Sequence, residues 1–206
     1  MKICMINGSP KLQNSTSSLI LKYIENRINA KNDIVNYHNE DADYKAVASD
    51  ILSSDVLVVA FPLYADGIPS NLLPLLQHLE KMLTNKVKDL HVYVVVNNGF
   101  YEAKQNELAI AMMKAFCIKI KAKWGQGIAI GGGPLLNDFS VENGPMAKAY
   151  QALAELAKNI QIQSFNEDVY IDPGLPRFLY IFSGNIMWRR QAKNNRVSKK
   201  AFFGKK

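Results

Sequence analysis

Between Ile6 and Ser17 the chain reads Asn7-Gly-Ser-Pro-Lys-Leu-Gln-Asn-Ser-Thr16, a run of hydroxyls, amides, one glycine and one lysine. Residues of these types can bind an anion. A helix opening at Ser17 presents free N–H groups and the positive end of its dipole to that run. Ser9, Ser15, Thr16 and Ser17 add hydroxyl donors, so together they can encircle a phosphate. Gly8 would allow close backbone approach, and Pro10 would fix the turn. The competing reading is that Asn14, Ser15 and Thr16 only cap the helix. A cap needs one such residue, and the loop has ten positions.

The same residues exclude better-known phosphate sites. A dinucleotide fingerprint needs G-x-G-x-x-G, and only Gly8 is present; the nucleoside-triphosphate pattern G-x-x-x-x-G-K-[ST] is absent. A phosphatase of similar build would place a nucleophilic Cys five residues before an Arg, but Cys4 lies inside an apolar run. A phospho-acceptor domain would carry Asp where this chain has Ala60-Phe61-Pro62. The loop is therefore expected to hold phosphate and not to transfer it.

Two further loops could complete a site for a flat ring, which needs an apolar wall and backbone donors along one edge. Pro62-Leu-Tyr-Ala-Asp-Gly67 offers the wall, and Asn97-Asn-Gly-Phe100 offers donors beside a glycine. Taken singly, Tyr64 could be half-buried packing, and Asn98-Gly99 an ordinary turn.

The elements that must position these loops follow from apolar patterning. Ile3 to Ile6, Ile34 to Tyr37, Val56 to Phe61, Val92 to Val96 and Gly127 to Ile130 predict five strands. Helical periods span Ser17 to Ile28, Tyr44 to Leu52, Asn71 to Leu83, Ala103 to Lys121 and Gly144 to Ile160. The alternation predicts a doubly wound α/β domain: a five-stranded parallel sheet with helices on both faces. Each cluster of Gly, Pro, Asn and Ser follows a strand, which brings the loops to the carboxyl edge of the sheet, where such folds bind ligands.

At this point a resemblance becomes specific. Gly8-Ser-Pro-Lys11 with Asn14-Ser-Thr-Ser17 resembles the phosphate loop of the flavodoxin-like NADPH-dependent FMN reductase and NAD(P)H:quinone oxidoreductase superfamily. That family usually reads G-S-P-R there, so Lys11 is a departure. Phe61 to Pro69 resembles its second flavin loop, Asn97 to Glu102 its third, and Gly131-Gly-Gly133 is similar to a turn of the group; the likeness covers about residues 1–160.

The resemblance implies FMN as cofactor and NAD(P)H as co-substrate. It assigns the phosphate to Ser9, Ser15, Thr16 and Ser17, with Pro10, Lys11 and Asn14 of the same loop also cofactor-binding. Pro62, Leu63, Tyr64 and Gly67 would lie along the ring and Asn98, Gly99 and Phe100 would meet its edge, with Ala65, Asp66 and Asn97 of the same loops also cofactor-binding, and Glu102 would reach toward flavin or substrate. No protein nucleophile is required. The implied activity passes hydride from a nicotinamide through flavin N5 to a quinone, flavin or similar small acceptor. The alternative is a flavodoxin-type electron carrier with no nicotinamide activity of its own. By resemblance, a homodimer is expected.

The net charge of +7 resembles a nucleic-acid signal until it is divided by position. Nine of the 25 basic residues lie from Arg177 onward, where Asp and Glu are absent, leaving 16 basic against 18 acidic residues before them. Without a recognition motif, nucleic acid is not an expected partner. Domain organisation is read as 1–162 for the flavodoxin-like domain and 163–206 for an extension carrying an amphipathic basic helix near Arg177 to Asn194. That helix either packs on the domain or a partner, or anchors to an anionic membrane surface.

Cys4 and Cys117 sit in apolar runs and read as buried thiols; they cannot supply the compact Cys motif of an iron-sulfur cluster. His38, His78 and His91 are scattered, so neither a metal set nor a catalytic triad is expected. No apolar run approaches the roughly 20 residues of a membrane span. Met1 to Ile6 enters a strand directly, which leads to the expectation of a cytoplasmic protein, peripheral at a membrane if the tail anchors there.

Overall fold

A computed structural model of the chain describes residues 1–138 and 143–197. Its core element is a parallel sheet of β1 (Lys2–Asn7), β2 (Asp33–His38), β3 (Val56–Pro62), β4 (His91–Asn97), β5 (Lys123–Ile130) and β6 (Val169–Ile171), in the order β2-β1-β3-β4-β5-β6. The helices are α1 (Thr16–Glu25), α2 (Tyr44–Leu52), α3 (Leu73–Leu83), α4 (Glu107–Ile120), α5 (Ala147–Gln161) and α6 (Arg177–Asn194). The architecture is the flavodoxin-like α/β fold.

The sheet has six strands, not the five expected. β6 is three residues long, with intermediate, exposed and buried positions in turn, so its Val-Tyr-Ile is too short to stand out as a strand pattern. It forms because its register partners Ile128, Ala129 and Ile130 leave an open edge on β5. Alternation along the strands sorts the core into two layers. Cys4 and Ile6 face α2, α3 and α4, while Ile3 and Met5 face α1 and α5. Each fully buried Leu, Ile or Val contributes roughly 1.5–3 kcal/mol, and both layers are built of them.

Local chemistry explains several boundaries. Ser15 caps α1 by accepting from Ser18 N–H, and Asp43 caps α2 through Lys45 N–H. The helical period expected from Ala103 resolves into a short 3-10 turn, Ala103–Asn106, followed by α4, which ends at Lys121 in the left-handed region. β5 begins earlier than its apolar run because of one bulge: Val92 pairs with Trp124 and Tyr93 with Gln126, so Gly125 is skipped. A Cβ on Gly125 would lie 2.5 Å from the Tyr93 ring. Glycine there admits the tyrosine, whose hydroxyl donates to the carbonyls of Asn159 and Ser164.

The chain separates into two compact units, Met1–Pro173 and Gly174–Lys206. The second contains α6, which has the expected bounds but not the expected two faces. At about 100° per residue, its apolar side chains point around the whole circumference. Phe178, Leu179, Ile181 and Phe182 crowd its first turns, and Arg189, Arg190 and Lys193 follow. Segregation runs along the axis, and none of its residues is buried. Lys199, Lys200, Lys205 and Lys206 of the basic tail lie outside the described residues. Among the described residues, no helix is long and apolar enough to cross a membrane.

Candidate functional site

Strand order reverses between β2-β1 and β3-β4-β5-β6, so the crevice at the carboxyl ends of β1 and β3 is where such a sheet receives a ligand. A cavity of about 360 Å3 opens there. Its walls combine Ser9, Lys11, Asn14, Ser15, Thr16 and Ser17 with Pro62, Leu63 and Tyr64, and with Asn97, Asn98 and Gly99. Three loops separated by tens of residues thus form one wall system.

The loop after β1 is tied at both ends. Gly8 N–H donates to Ala60 at 2.9 Å, Asn7 Oδ1 accepts from Ser9 N–H at 3.0 Å, and Ser9 Oγ accepts from Lys11 N–H at 3.1 Å. Lys11 Nζ donates to the Asn14 carbonyl at 3.1 Å, and Asn14 turns the chain into α1 with φ of 51°. The ladder of α1 begins with Leu19 N–H on the Ser15 carbonyl, so the N–H groups of Thr16 and Ser17 precede it. Gly8 has a different use from the one expected. A Cβ there would lie 2.5 Å from Leu72 Cδ2 and 3.0 Å from Phe61 Cβ, so its bareness serves core packing.

The second loop is a tight reversal in which Tyr64 and Gly67 exchange hydrogen bonds at 3.2 and 3.0 Å, with Ala65 and Asp66 at φ of 46° and 60°. Leu63 and Ile68 are buried on either side, and Leu63 N–H donates to the Asn97 carbonyl at 2.7 Å. The reversal leaves Tyr64 52% exposed at the cavity wall.

The third loop rests on the glycine turn after β5. Gly132 and Gly133 N–H groups donate to the carbonyls of Phe100 and Asn98 at 2.6 and 2.7 Å, and Asn98 N–H donates to Ile130 at 3.0 Å. A Cβ on Gly131 would lie 2.1 Å from the Tyr101 carbonyl oxygen, so only glycine lets the two backbones meet. From the far side, Asp172 beyond β6 accepts Ala103 N–H at 2.7 Å.

Several expected residues fall outside the cavity lining. Pro10 is exposed on the outer side of its loop, Ala65, Asp66 and Gly67 form the tip of the second reversal, and Phe100 is 53% exposed beyond the third. Glu102 takes part through its carbonyl, which accepts from Asn98 Nδ2 at 3.2 Å. Two residues not anticipated, Pro134 and Asn137, line the cavity from the 3-10 turn Gly133–Asn137. The glycine turn preceding them was visible in the sequence; an asparagine four residues beyond it carried no signal.

Among the described residues, the lining has one cation, Lys11, and no carboxylate. This donor set fits a terminal phosphate at the α1 end, and the apolar wall of Pro62, Leu63 and Tyr64 fits a ring system above it. A larger groove of about 740 Å3 runs beside α1 and β2, but Glu25, Asp41 and Asp43 line it and neither the second nor the third loop reaches it. Its size therefore does not make it the anion site.

Other reactive groups stand apart. Cys4 and Cys117 are buried free thiols, each pushed up to about 12 by burial. His38 contacts the Lys11 carbonyl at 3.2 Å, His78 packs near Tyr44, and His91 is buried at the start of β4, where burial lowers its basicity. Among the described residues, no group of three or more His, Cys, Asp or Glu could hold a metal ion.

Comparison with known proteins follows the same lines. The family described as NADPH-dependent FMN reductase matches residues 1–124. No curated protein sequence matches the chain. Among solved structures, an NADH:FMN oxidoreductase in its apo form superposes with a TM-score of 0.62 at 15% identity, covering 81% of this chain and 91% of that one. An FMN-dependent NADH-azoreductase from Bacillus anthracis in complex with FMN gives 0.61 at 16%, covering 78% and 100%. A flavodoxin from Streptococcus pneumoniae gives 0.59 at 16%, covering 79% and 99%. At these identities the three likenesses establish the fold.

Proposed function

The chain belongs to the NADPH-dependent FMN reductase family, and from that premise we propose that the cavity at the carboxyl ends of β1, β3 and β4 holds its FMN, phosphate toward α1. The protein is an NAD(P)H-dependent flavin oxidoreductase with FMN as its cofactor. FMN supplies a two-electron centre that takes hydride from a nicotinamide and returns reducing equivalents to an acceptor.

The observation that carries the reading is the convergence of the three loops on one cavity with hydroxyl donors and, among the described residues, one cation and no carboxylate. Ser9, Ser15, Thr16 and Ser17 bind the phosphate together with the first-turn N–H groups of α1. Lys11, whose Nζ donates to the Asn14 carbonyl at 3.1 Å, would balance its charge. Pro62, Leu63 and Tyr64 form one wall of the ring slot and exclude water from that side. Asn98 and Gly99 present the edge that meets the pyrimidine. The wall on the other side stays open for nicotinamide and acceptor to use in turn.

The acceptor is a small molecule that accepts two electrons, a quinone, a free flavin or an azo compound. The related NADH-azoreductase and NADH:FMN oxidoreductase support this class. The test is direct. Protein purified in FMN should show bound flavin absorbance, and anaerobic stopped-flow mixing with NADH or NADPH should bleach it within the turnover time. An acceptor screen then ranks quinones, flavins and azo dyes. A flavin that binds but is bleached by neither nicotinamide would overturn the assignment of this cavity as the reacting site.

A further inference from the structure

Resting on the FMN reading above, a second layer of residues behind the phosphate loop has its own consequence. The hydroxyls of α1's first turn are each met by an asparagine amide from another strand end. Asn137 Nδ2 donates to Thr16 Oγ1 at 3.1 Å, and Asn97 Nδ2 donates to Ser17 Oγ at 3.3 Å. Asn7 Nδ2 donates to Ser18 Oγ at 2.7 Å and to Ser15 Oγ at 3.3 Å.

Amide orientation decides what this means, because a flipped amide would accept instead of donate. In all three cases a backbone group fixes it. Asn137 Nδ2 also donates to the Pro134 carbonyl at 3.2 Å, and Asn97 Nδ2 to the Phe61 carbonyl at 3.2 Å. Asn7 Oδ1 accepts Ser9 N–H at 3.0 Å, which leaves its nitrogen facing the serines. A carbonyl cannot donate and an N–H cannot accept, so a flip would set like against like.

A hydroxyl has one hydrogen and two lone pairs. An oxygen that already receives an amide N–H keeps its own hydrogen for another partner. Thr16 and Ser17 line the cavity, so their hydrogens are available there as donors. A phosphate dianion offers acceptors alone and matches such a surface. The 5′-hydroxyl of the dephosphorylated cofactor, riboflavin, is a single uncharged oxygen that donates as well as accepts, and matches that surface far less well.

We propose that Asn137 and Asn97 are positioning residues that hold the Thr16 and Ser17 hydroxyls as donors, and that this makes the cavity select the phosphorylated flavin over riboflavin. Asn137 is the better probe, since it is exposed and its replacement leaves the core untouched.

The experiment measures Kd for FMN and for riboflavin by flavin fluorescence quenching on the full apoprotein. Wild type should prefer FMN. Asn137→Ala should weaken FMN about tenfold, the value of one hydrogen bond to a charged group, while changing riboflavin less than about twofold. Asn137→Asp should weaken FMN about a hundredfold, because a carboxylate takes the Thr16 hydrogen and repels the phosphate. In a Thr16→Val background, Asn137→Ala should shift FMN affinity by less than about twofold, since the hydroxyl it orients is gone. Melting temperatures should not differ between Asn137→Ala and wild type.

Equal loss of FMN and riboflavin affinity in Asn137→Ala overturns the inference, as does full additivity with Thr16→Val. Wild type that binds both flavins without preference overturns it too, while leaving FMN in the cavity. Wild type that binds neither flavin sinks the site assignment itself.

Discussion

At the residue scale, the second loop stores strain that its sequence does not advertise. Ala65 and Asp66 both lie in the left-handed region, where an L-residue costs roughly 1–2 kcal/mol. Two-residue reversals of this kind ordinarily use Asn-Gly. Ala65→Gly relieves the backbone but adds flexibility to the unfolded chain, for a net gain of about 0.5–1 kcal/mol. A higher urea midpoint with unchanged slope would register it. A second residue-scale feature is the cluster at the open edge of the sheet. Asp50 accepts from Lys2 Nζ at 2.7 Å and from the Tyr37 hydroxyl. The hydrogen bonds from Lys2 and then Tyr37 hold its carboxyl below the usual 3.8, against the opposing effect of burial. A depressed carboxyl contributes stability above its ordinary value and loses it as pH falls through the lowered one. Tyr37, pushed up to about 12 chiefly by its bond to Asp50, contributes below its ordinary 10 and loses that as pH rises through 12. Asp50→Asn should therefore lower the melting temperature from pH 5 to 9, with the gap to wild type closing below about pH 3.8. Its phenolate titration should lose a component near 12.

At the element scale, the open edge of β5 matters more than its neighbours suggest. The short strand β6 covers that edge, and Gly131 N–H donates to the Ile171 carbonyl at 2.9 Å as the two strands end. The turn that follows carries the third loop on its N–H groups, and Asp172 pins the start of Ala103–Asn106. The position of Asn98 and Gly99 is thus set by an element outside the five anticipated strands. Gly131→Ala places a methyl against the Tyr101 carbonyl with no flexible side chain to yield, so the loop must shift. Overpacking of this kind costs about 1–3 kcal/mol. The variant should melt several degrees lower and bind FMN at least about tenfold more weakly. Unaltered FMN affinity would show that the loop's position is immaterial to binding.

At the scale of the whole molecule, the division at Pro173 separates the unit with the cavity proposed for FMN from the unit with the basic helix. Every residue lining the cavity precedes it. A chain ending at Pro173 should retain FMN affinity within about twofold of the full chain, because no binding group is removed. The axial segregation of α6, aromatic and aliphatic first and cationic after, suits insertion of one end at an anionic lipid surface better than lying flat on it. Co-sedimentation with vesicles rich in phosphatidylserine tests this. The full chain should pellet and the chain ending at Pro173 should stay in solution; equal behaviour would end the membrane reading.

Sequence determined most of what is periodic or compositional. β1, β3 and β4 and the second half of β5 are buried on both faces and had to be apolar runs, so they could be read directly, while edge strand β2 showed itself by the shorter pattern Ile34 to Tyr37. The loop from Asn7 to Thr16 stood out because hydroxyls and amides at a helix start are local chemistry, written in neighbouring residues. What tertiary structure decided was non-local. β6 is Val-Tyr-Ile, strand-like in residue type but only three residues long, and it is a strand because β5 leaves hydrogen-bonding groups open beside it. The role of Gly8 depends on Leu72 and Phe61, far along the chain. Asn137 enters the site only because the turn after β5 folds against α1, 121 residues away, where its amide meets Thr16. Such contacts leave no spacing to read, since they arise from the order of strands in the sheet and not from the order of residues in the chain.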